Sequence, residues 1–322
     1  MRVRGRRSRH PMLGAMVVAM FSSPLVAVTP RALVDDLGHE VQIDSPPARV
    51  ISLAPSITET VFALGVGERL VGVSSFCDYP PAARELARVG GFATPDIERI
   101  LALAPDVVLL TTVAQQGLSE RLKSAGILTW SVFPRRVDEL SPSIRRLGEF
   151  LGVRASADSL AGEIDAFFAS VASQLSRPRE HARPRVFFEI DSNPLMTVTD
   201  DSFEGSLLRA LGAENIAGGL PRSYARIDPE AVILGDPDVI VITHRVGGAE
   251  ELRQRRGWNT VHAVKERRVF DDVDPDLLVR PGPRILEGAR ALLPRLHSAH
   301  PLTPAPASSS GPNAPPTGPP EP

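Results

Sequence analysis

The sequence contains very little cysteine and almost no excess charge. Cys77 is the only cysteine among 322 residues, so no disulfide can form within the chain. The nearby sequence offers no basic partner, and we therefore interpret Cys77 as a small, partly buried apolar residue rather than a nucleophile. The formal net charge is −2, so no basic surface for nucleic acid is indicated.

The sequence also lacks the motifs of the common enzyme chemistries. It contains no HExxH, no Walker A glycine loop, no GxSxG and no CxxC. Its seven histidines are scattered, so we expect no metal site built from them. His244 follows a predicted strand and points toward a predicted cleft, and we interpret it as a hydrogen-bonded loop residue. These absences favour a binding protein with no catalytic residues and no cofactor of its own.

The two ends of the chain differ from its middle. Five arginines fall within the first nine residues, an apolar run follows at residues 12–20, and Ala27 suits a cleavage site. This order predicts a cleaved secretory signal at residues 1–27. No cysteine follows it to carry a lipid, so we expect a soluble periplasmic protein. Residues 299–322 contain nine prolines and predict a disordered tail.

The pattern of residues 155–175 predicts one long helix near the middle of the chain, ending before Pro178, which cannot continue it. At about 1.5 Å per residue, this helix would span about 30 Å, the width of a small domain. An ordinary amphipathic core helix fits the same pattern. Its apolar residues recur in steps of three and four along one face: Leu160, Ile164, Phe167, Phe168, Val171 and Leu175.

The sequences on the two sides of this helix repeat each other. Residues 96–111 align without gaps to residues 228–243 at a constant offset of 132. Each copy predicts a capped helix, a Pro-Asp turn and a buried strand of the kind found in parallel sheets. We therefore predict an α/β fold with two doubly wound lobes, at residues 28–154 and 179–298, joined by a rigid helix over residues 155–178. The identical pairs are Asp96/Asp228, Glu98/Glu230, Pro105/Pro237, Asp106/Asp238, Val107/Val239 and Thr111/Thr243.

Several features fall where predicted strands end, which is where doubly wound sheets bind ligands. Ser56 and Glu59 have the spacing of a capping box at the start of a helix. Aromatic residues on the predicted loops suggest a platform for a flat or apolar ligand, although packing within the loop explains any single one of them. These aromatic residues are Phe76, Tyr79, Phe92 and Tyr224.

A charged cluster precedes the last predicted helix. Asp274, Asp276, Arg280 and Arg284 form either structural ion pairs or a surface that faces a ligand, and their spacing favours neither.

The assembled segments resemble the periplasmic substrate-binding proteins of ABC importers whose lobes are joined by one rigid helix. The group carries cobalamin, haem and ferric siderophores. The similar segments are RVISLAPSITETVFALG, VGVSSFCDYP, DIERILALAPDVVLL and RGWNTVHAVKERRVF. GVSSFCDYPP and DLLVRPGPRI are most similar to the cobalamin-binding branch. The resemblance covers about residues 32–297 and implies a monomeric carrier of a corrinoid ligand.

The resemblance also implies ligand contacts. Phe76 stands where the cobalamin branch has an aromatic residue against the corrin, and Phe92 and Tyr224 stand where it has tryptophans. Met196 stands where an aromatic residue is expected, and the segment from Asp276 to Arg280 matches one that lines the ligand. The expected ligand-binding residues are Phe76, Tyr79, Phe92, Met196, Tyr224, Asp276, Leu277, Leu278, Val279 and Arg280.

Two surface carboxylates, one in each predicted lobe, match the residues that pair with permease arginines in this family. These are Glu98 and Glu230, which the repeat makes equivalent and which suit a two-fold symmetric permease dimer in the inner membrane. Each taken alone also fits a solvated acid in the first turn of a helix.

Two alternatives to a corrinoid carrier follow. A ferric-siderophore or haem carrier would direct Arg222, Arg226 and Arg280 toward an anionic ligand. A tetrapyrrole chelatase has a similar two-lobed architecture, but it needs a well-placed His/Glu pair and is cytoplasmic, which the secretory signal argues against.

Overall fold

The computed structural model describes residues 31–111, 115–176, 182–245 and 247–297. The predicted secretory signal and the predicted disordered tail lie outside the described residues, as do residues 177 and 178 of the predicted inter-lobe segment. Among the helices within the described ranges, none combines the length and the hydrophobicity needed to cross a membrane.

The described strands form one hairpin and two larger sheets. The strands are β1 Arg31–Val34, β2 Glu40–Ile43, β3 Val50–Ser52, β4 Leu70–Val73, β5 Val107–Leu110, β6 Leu128–Ser131, β7 Arg185–Ser192, β8 Leu195–Val198, β9 Glu214–Asn215, β10 Tyr224–Arg226, β11 Val239–Ile242 and β12 Val269–Phe270.

The helices surround these sheets. They are α1 Pro55–Ala63, α2 Ile97–Ala102, α3 Gln116–Ser124, α4 Val137–Phe150, α5 Arg154–Leu175, α6 Phe203–Ala210, α7 Pro229–Gly235, α8 Gly248–Gln254, α9 His262–Lys265, α10 Asp276–Val279 and α11 Ile285–Leu296.

Each lobe is built around its own sheet. In the first lobe β4, β3, β5 and β6 pair side by side, and all of these pairings are parallel. In the second lobe the order is β10-β8-β7-β11-β12, with β9 also paired with β7. There β7, β9, β11 and β12 pair in parallel, while β8 is antiparallel to both β7 and β10. The predicted α/β class with two lobes is confirmed.

The 132-residue repeat is visible in the backbone. Helices α2 and α7 are both followed within two residues by one with positive φ, Ala104 with φ 43° and Asp236 with φ 36°. The carboxylates of Asp106 and Asp238 then accept hydrogen bonds from the backbone at the start of the neighbouring strand, at Arg49 and Arg185, each at 2.8 Å. The Pro-Asp turn therefore fastens the repeated strand to the first strand of each lobe in the same way.

Helix α5 is the predicted long helix, and it begins at Arg154, one residue before the predicted start. It packs against α4, where a Cβ on Gly148 would collide with Ala157, so glycine permits the close approach. It also packs against α6 of the second lobe. One hydrophobic cluster runs from the first lobe through the buried face of α5 into the second lobe. The core is therefore continuous between the two lobes.

Candidate functional site

The two lobes meet at the loops that follow the carboxyl ends of their strands. A Cβ on Gly282 of the second lobe would lie 3.3 Å from the carbonyl oxygen of Ser56 in α1, so the two backbones approach closely. The guanidinium carbon of Arg284 lies 3.9 Å from the ring centroid of Tyr79, in the loop after β4. This placement is a cation–π contact between the lobes.

An ionic cluster at this junction joins the two lobes. Arg280 binds Glu59 of α1 at 2.8 Å, Asp78 at 2.9 Å and Asp276 at 2.8 Å. Arg284 adds a second cation 3.6 Å from Glu59. The spacing of these residues had left open whether they form ion pairs or face a ligand, and the structure shows ion pairs.

Burial controls the ionisation of this cluster. Burial raises the pKa of Glu59, against the lowering effects of the hydrogen bond from Arg280 and the charges of Arg280 and Arg284. Its Oε2 is buried and has no hydrogen-bond partner, which explains why desolvation dominates. At Asp78 partial burial is overcome by the hydrogen bond and charge of Arg280, and the pKa is lowered.

The predicted capping box at Ser56 and Glu59 is wrong. Helix α1 begins at Pro55 with Ala54 as its N-cap, and no side chain caps it. Pro55 at the first helical position has no N–H to satisfy, so the helix needs less capping there. Glu59 is thereby free to pair with Arg280 in the other lobe.

The predicted aromatic residues differ in exposure. Phe76, Tyr79 and Tyr224 are 59%, 41% and 49% exposed, which are high values for large apolar side chains. Phe92 is partly buried against the core, and its carbonyl accepts a hydrogen bond of 2.8 Å from the Gln115 side chain. Phe76 and Tyr79 share the loop after β4, and the contact of Tyr79 with Arg284 places that loop next to the second lobe.

Met196 and Tyr224 lie on adjacent strands of the second lobe, β8 and β10, so the predicted loop position of Tyr224 is wrong. In the pairing of β8 with β10, Met196 is opposite Arg226 and Tyr224 is opposite Val198. Residues directly opposite in an antiparallel pair share a face, as do residues two apart on one strand. Met196, Tyr224 and Arg226 therefore lie on the same face of this sheet edge.

The segment from Asp276 to Arg280 forms α10 and its C-cap. Leu278 is fully buried in the core, where its side chain has no surface for a ligand. Leu277 packs through its backbone against α11, since a Cβ on Gly288 would collide with the Leu277 carbonyl. Val279 is partly buried against the same core. The charged ends of the segment, Asp276 and Arg280, are the ones that reach the junction.

A polar cavity of about 510 Å³ lies beyond the ends of β11 and β12, lined by residues 244, 245, 247, 248 and 271–275. Beside it, the fully buried carboxylate of Glu189 accepts two hydrogen bonds from Arg255, at 2.6 and 2.7 Å. His244 Nε2 lies 2.8 Å from the same carboxylate. His244 is thus a hydrogen-bonded loop residue, as its place after a strand predicts.

The structure also reveals polar residues that the sequence reasoning missed. A charge within an otherwise apolar strand, RVFFEI, was the available indication for Glu189. Glu59 was visible only as part of the capping spacing. The missed residues are Glu59, Asp78, Glu189, Glu204 and Arg255.

Glu98 and Glu230 lie in the first turns of α2 and α7, and both are exposed. Neither forms an ion pair within the described part of the chain. Over the same residues, no group of three or more His, Cys, Asp or Glu side chains is arranged to hold a metal ion.

Comparison with known sequences identifies relatives of the chain. The sequence profile of the periplasmic binding protein family matches residues 50–275. YvrC, an uncharacterized ABC transporter substrate-binding lipoprotein of Bacillus subtilis, is 32% identical over 270 residues, which are 82% of this chain and 85% of the relative. A vitamin B12-binding protein of Photorhabdus laumondii is 30% identical over 252 residues, which are 78% of this chain and 88% of the relative.

Solved structures share the fold. The periplasmic vitamin B12 binding protein BtuF of Vibrio cholerae has a TM-score of 0.70 and 26% identity, covering 79% of this chain and 98% of that one. A periplasmic heme binding protein from Pseudomonas aeruginosa has a TM-score of 0.71 and 27% identity, covering 80% and 96%.

Two lobes, a rigid connecting helix and a polar junction at the strand ends define a two-lobed solute-binding protein. The chain belongs to the periplasmic binding protein family, in the class that serves ABC importers.

Proposed function

We propose that the protein captures a corrinoid such as cobalamin between its lobes and delivers it to an ABC permease. The ligand is cargo, and the protein itself acts without a cofactor or catalytic residues. Vitamin B12-binding proteins among its relatives support this choice. The observation within the chain that carries it is the pairing of Arg280 with Glu59, Asp78 and Asp276.

This pairing matters because the candidate ligands differ in their polar groups. A corrin ring carries peripheral carboxamides, whose N–H groups can donate to carboxylates. Haem carries propionates, which need free cations. Because Arg280 is already paired with three carboxylates, the junction presents carboxylate acceptors to a ligand rather than an unpaired Arg280 cation.

The apolar part of the ligand would pack against the exposed aromatic residues. Phe76 and Tyr79 from the first lobe and Tyr224 from the second leave large ring surfaces exposed. Covering such a ring contributes about 25 cal/mol per Å² of apolar surface removed from water. Met196 and the partly buried Phe92 would extend this surface. Because the core runs through α5, we expect only small lobe closure on binding.

Isothermal titration of the purified protein tests the ligand. We expect one-to-one binding of cyanocobalamin at micromolar affinity or tighter, weakened about 10- to 100-fold in Phe76→Ala, because one fully covered ring contributes about 1.5–3 kcal/mol. Leu234→Ala, which trims an exposed leucine on α7, is the matched control and should leave the affinity unchanged.

A ferric-siderophore or haem ligand is the second candidate, and one observation favours it. Arg226 is exposed on β10, opposite Met196, and has no carboxylate partner within the described ranges. Saturation by haem or a ferric hydroxamate, with no heat from cyanocobalamin, would keep the transport function and replace the ligand.

Delivery of the ligand to the permease would use Glu98 and Glu230, the two acids that the repeat makes equivalent. We expect Glu98→Lys or Glu230→Lys to abolish ligand transfer to a reconstituted permease while the affinity for free ligand stays unchanged, because both side chains are exposed at the first turns of repeated helices. Glu120→Lys, an equally exposed change on α3, is the control. Normal transfer by both charge-reversed variants would contradict this docking mode.

A further inference from the structure

Glu204 is a buried carboxyl bonded to one of the proposed ligand residues. It lies in the first turn of α6, and only 3% of the residue is exposed. The hydroxyl of Tyr224 donates toward it, at 3.2 Å from Oε2 and 3.5 Å from Oε1. The Tyr224 residue, in contrast, is half exposed. The buried Glu204 carboxyl, called the anchor below, therefore holds the hydroxyl end of the exposed Tyr224 ring by a hydrogen bond.

The backbone around the anchor is fixed. The Ser202 hydroxyl accepts a hydrogen bond of 2.9 Å from the Gly205 amide and donates one of 2.8 Å to the Thr199 carbonyl. A Cβ on Gly205 would collide with that same carbonyl, so the first turn of α6 is pressed against the loop after β8. Glu204 thus projects from a helical turn whose backbone is held by these contacts.

The strand that carries Tyr224 is less constrained. β10 is the outermost of the described strands in its sheet, and its one partner among them is β8. Its Tyr224 position is opposite Val198, while Arg226, two residues on, is opposite Met196. The hydrogen bond to Glu204 therefore restrains the Tyr224 ring in addition to the pairing of β10 with β8.

The charge at this position is not balanced by a cation. Burial raises the pKa of Glu204 to about 7, against the lowering effects of hydrogen bonds from its own backbone, Tyr224 and Ser202. No Arg, Lys or His forms an ion pair with this carboxyl in the described part of the chain. Burial, followed by the charge and hydrogen bond of Glu204, raises the pKa of Tyr224, so the hydroxyl keeps its proton and remains the donor.

We propose that Glu204 is a positioning residue of the ligand site, which fixes the Tyr224 ring as one edge of the surface that receives a flat tetrapyrrole-like ligand. This inference rests on the function proposed above. A fixed ring loses less side-chain entropy when a ligand covers it, so the anchor strengthens binding without touching the ligand. It also limits the ring to one orientation, which selects for ligands whose plane matches it.

The alternative is that Glu204 serves the fold alone. A purely structural acceptor for Tyr224 needs no charge, and a buried carboxyl without a cation is destabilising once it ionises. A positioning role and a structural role give different results in a double-mutant cycle, because residues that act as one unit give non-additive effects.

The binding test uses four variants of the full chain with cyanocobalamin. Tyr224→Phe keeps the ring and removes the donor, and Glu204→Leu removes the acceptor. Each should weaken binding about 3- to 10-fold, the equivalent of one hydrogen bond. The double variant should be no weaker than either single one within about 2-fold. Glu204→Gln keeps an acceptor oxygen and should restore affinity to within about 2- to 3-fold of the parent.

Two outcomes would overturn the proposal. One is unchanged affinity in Glu204→Leu while Tyr224→Phe binds weakly, and the other is a double variant whose loss is the product of the two single losses. Glu120→Gln, the same change at an exposed glutamate on α3, is the control and should bind as the parent does. If Glu204→Leu fails to fold, as judged by its thermal transition, Tyr224→Phe and Glu204→Gln still test the bond from both sides.

A second readout needs no ligand and separates this proposal from the proposed function. Tyr79 and Tyr224 are the only tyrosines in the chain, so Tyr79→Phe leaves a single phenol to titrate by its absorbance. We expect Tyr224 to ionise at a higher pH than an ordinary tyrosine, and at a lower pH after Glu204→Gln than before it, because the neighbouring negative charge is removed. Unchanged titration would overturn the coupling. Normal coupling with no ligand binding would overturn only the function.

Discussion

The two lobes share one repeated αβ unit, yet their interiors differ at an equivalent position. Val50 pairs with Val107 in the first lobe as Val186 pairs with Val239 in the second. Three residues further on, Leu53 in the first lobe corresponds to Glu189 in the second. Both are fully buried. At this buried position the first lobe therefore has an apolar side chain, whereas the second lobe has a carboxylate.

The difference shows which features of a repeat are constrained by the backbone. The helix end at Ala104 and Asp236 and the turn at Asp106 and Asp238 recur because the chain must leave the helix and enter the strand in the same geometry. An interior side chain has no such requirement. Glu189 needs only partners for its charge, which Arg255 and His244 supply within the same lobe.

The largest expected effect follows from separating Glu189 from its cation. Arg255→Met should lower the free energy of unfolding by about 3–5 kcal/mol, because it leaves a buried carboxylate without its bidentate partner. Urea denaturation measures this. Arg253→Met, which removes an exposed pair on the same helix, should change it by less than about 1 kcal/mol.

The double variant Glu189→Leu with Arg255→Met gives the second lobe the apolar arrangement of the first. We expect it to recover most of the lost stability, because replacing a buried ion pair by apolar residues is often neutral. A double variant as unstable as Arg255→Met would show that the two lobes are not interchangeable here.

The next effect concerns the junction, where the partner of the buried glutamate comes from the other lobe. Arg280→Met should lower the free energy of unfolding by about 2–3 kcal/mol at pH 8, since Arg284 remains near Glu59. The difference in unfolding free energy between Arg280→Met and the parent should be smaller at low pH, where Glu59 is protonated and needs no cation. Glu59 already has a raised pKa, so its stabilising contribution is complete below its unfolded value of 4.5 and is lost as pH rises through its folded value. A loss that grows on acidification would contradict this assignment.

The third effect concerns Glu204, which forms no ion pair with any cation among the described residues. Its pKa rises from 4.5 to about 7, so the stability it contributes is complete below pH 4.5 and is lost as pH approaches 7. Glu204→Gln should therefore match the parent at pH 4.5 and exceed its unfolding free energy by about 2–3 kcal/mol at pH 8. Thermal denaturation across this range measures the difference, and a constant difference would exclude titration of this carboxyl.

The smallest effect tests the shared turn itself. Asp106 accepts hydrogen bonds from the amides of Ala48 and Arg49, whereas Asp238 accepts one from Arg185. Replacing Asp106 by alanine should destabilise by about 2 kcal/mol and replacing Asp238 by about 1 kcal/mol, since each bond of this kind contributes about 1 kcal/mol. Equal losses measured by urea denaturation would show that the second bond to Asp106 adds nothing.

Much of the fold could be predicted from short stretches of sequence. The apolar steps along residues 155–175 predict α5 almost to the residue, because helical periodicity is a local property. The gapless repeat predicts two similar lobes, because capping, turn and strand residues act on neighbours a few positions away. Phe76 and Tyr79 are exposed on a loop, as predicted, whereas Phe92 is partly buried and Tyr224 lies on β10 rather than on a loop.

The site was harder to predict where the same residue pattern fits two different structural roles. Ser56 and Glu59 have the spacing of a capping box, but Pro55 begins the helix and Glu59 turns to the other lobe. Leu278 falls within a segment expected to line the ligand, yet it is fully buried in the core. Sequence similarity marks the segment, while its packing decides which side chains reach the surface.

The sequence by itself determined the long helix, the repeated αβ unit and the family, because periodicity, capping and turn chemistry act over a few residues. Only the tertiary structure decided the partners of the three glutamates that are buried in the described part of the chain. Glu59 meets Arg280 across 221 positions of sequence, Glu189 meets Arg255 across 66, and Glu204 meets Tyr224 across 20. The physical reason is that a buried charge is satisfied by whatever group the folded chain brings within hydrogen-bond distance, and that distance in space is independent of distance along the chain.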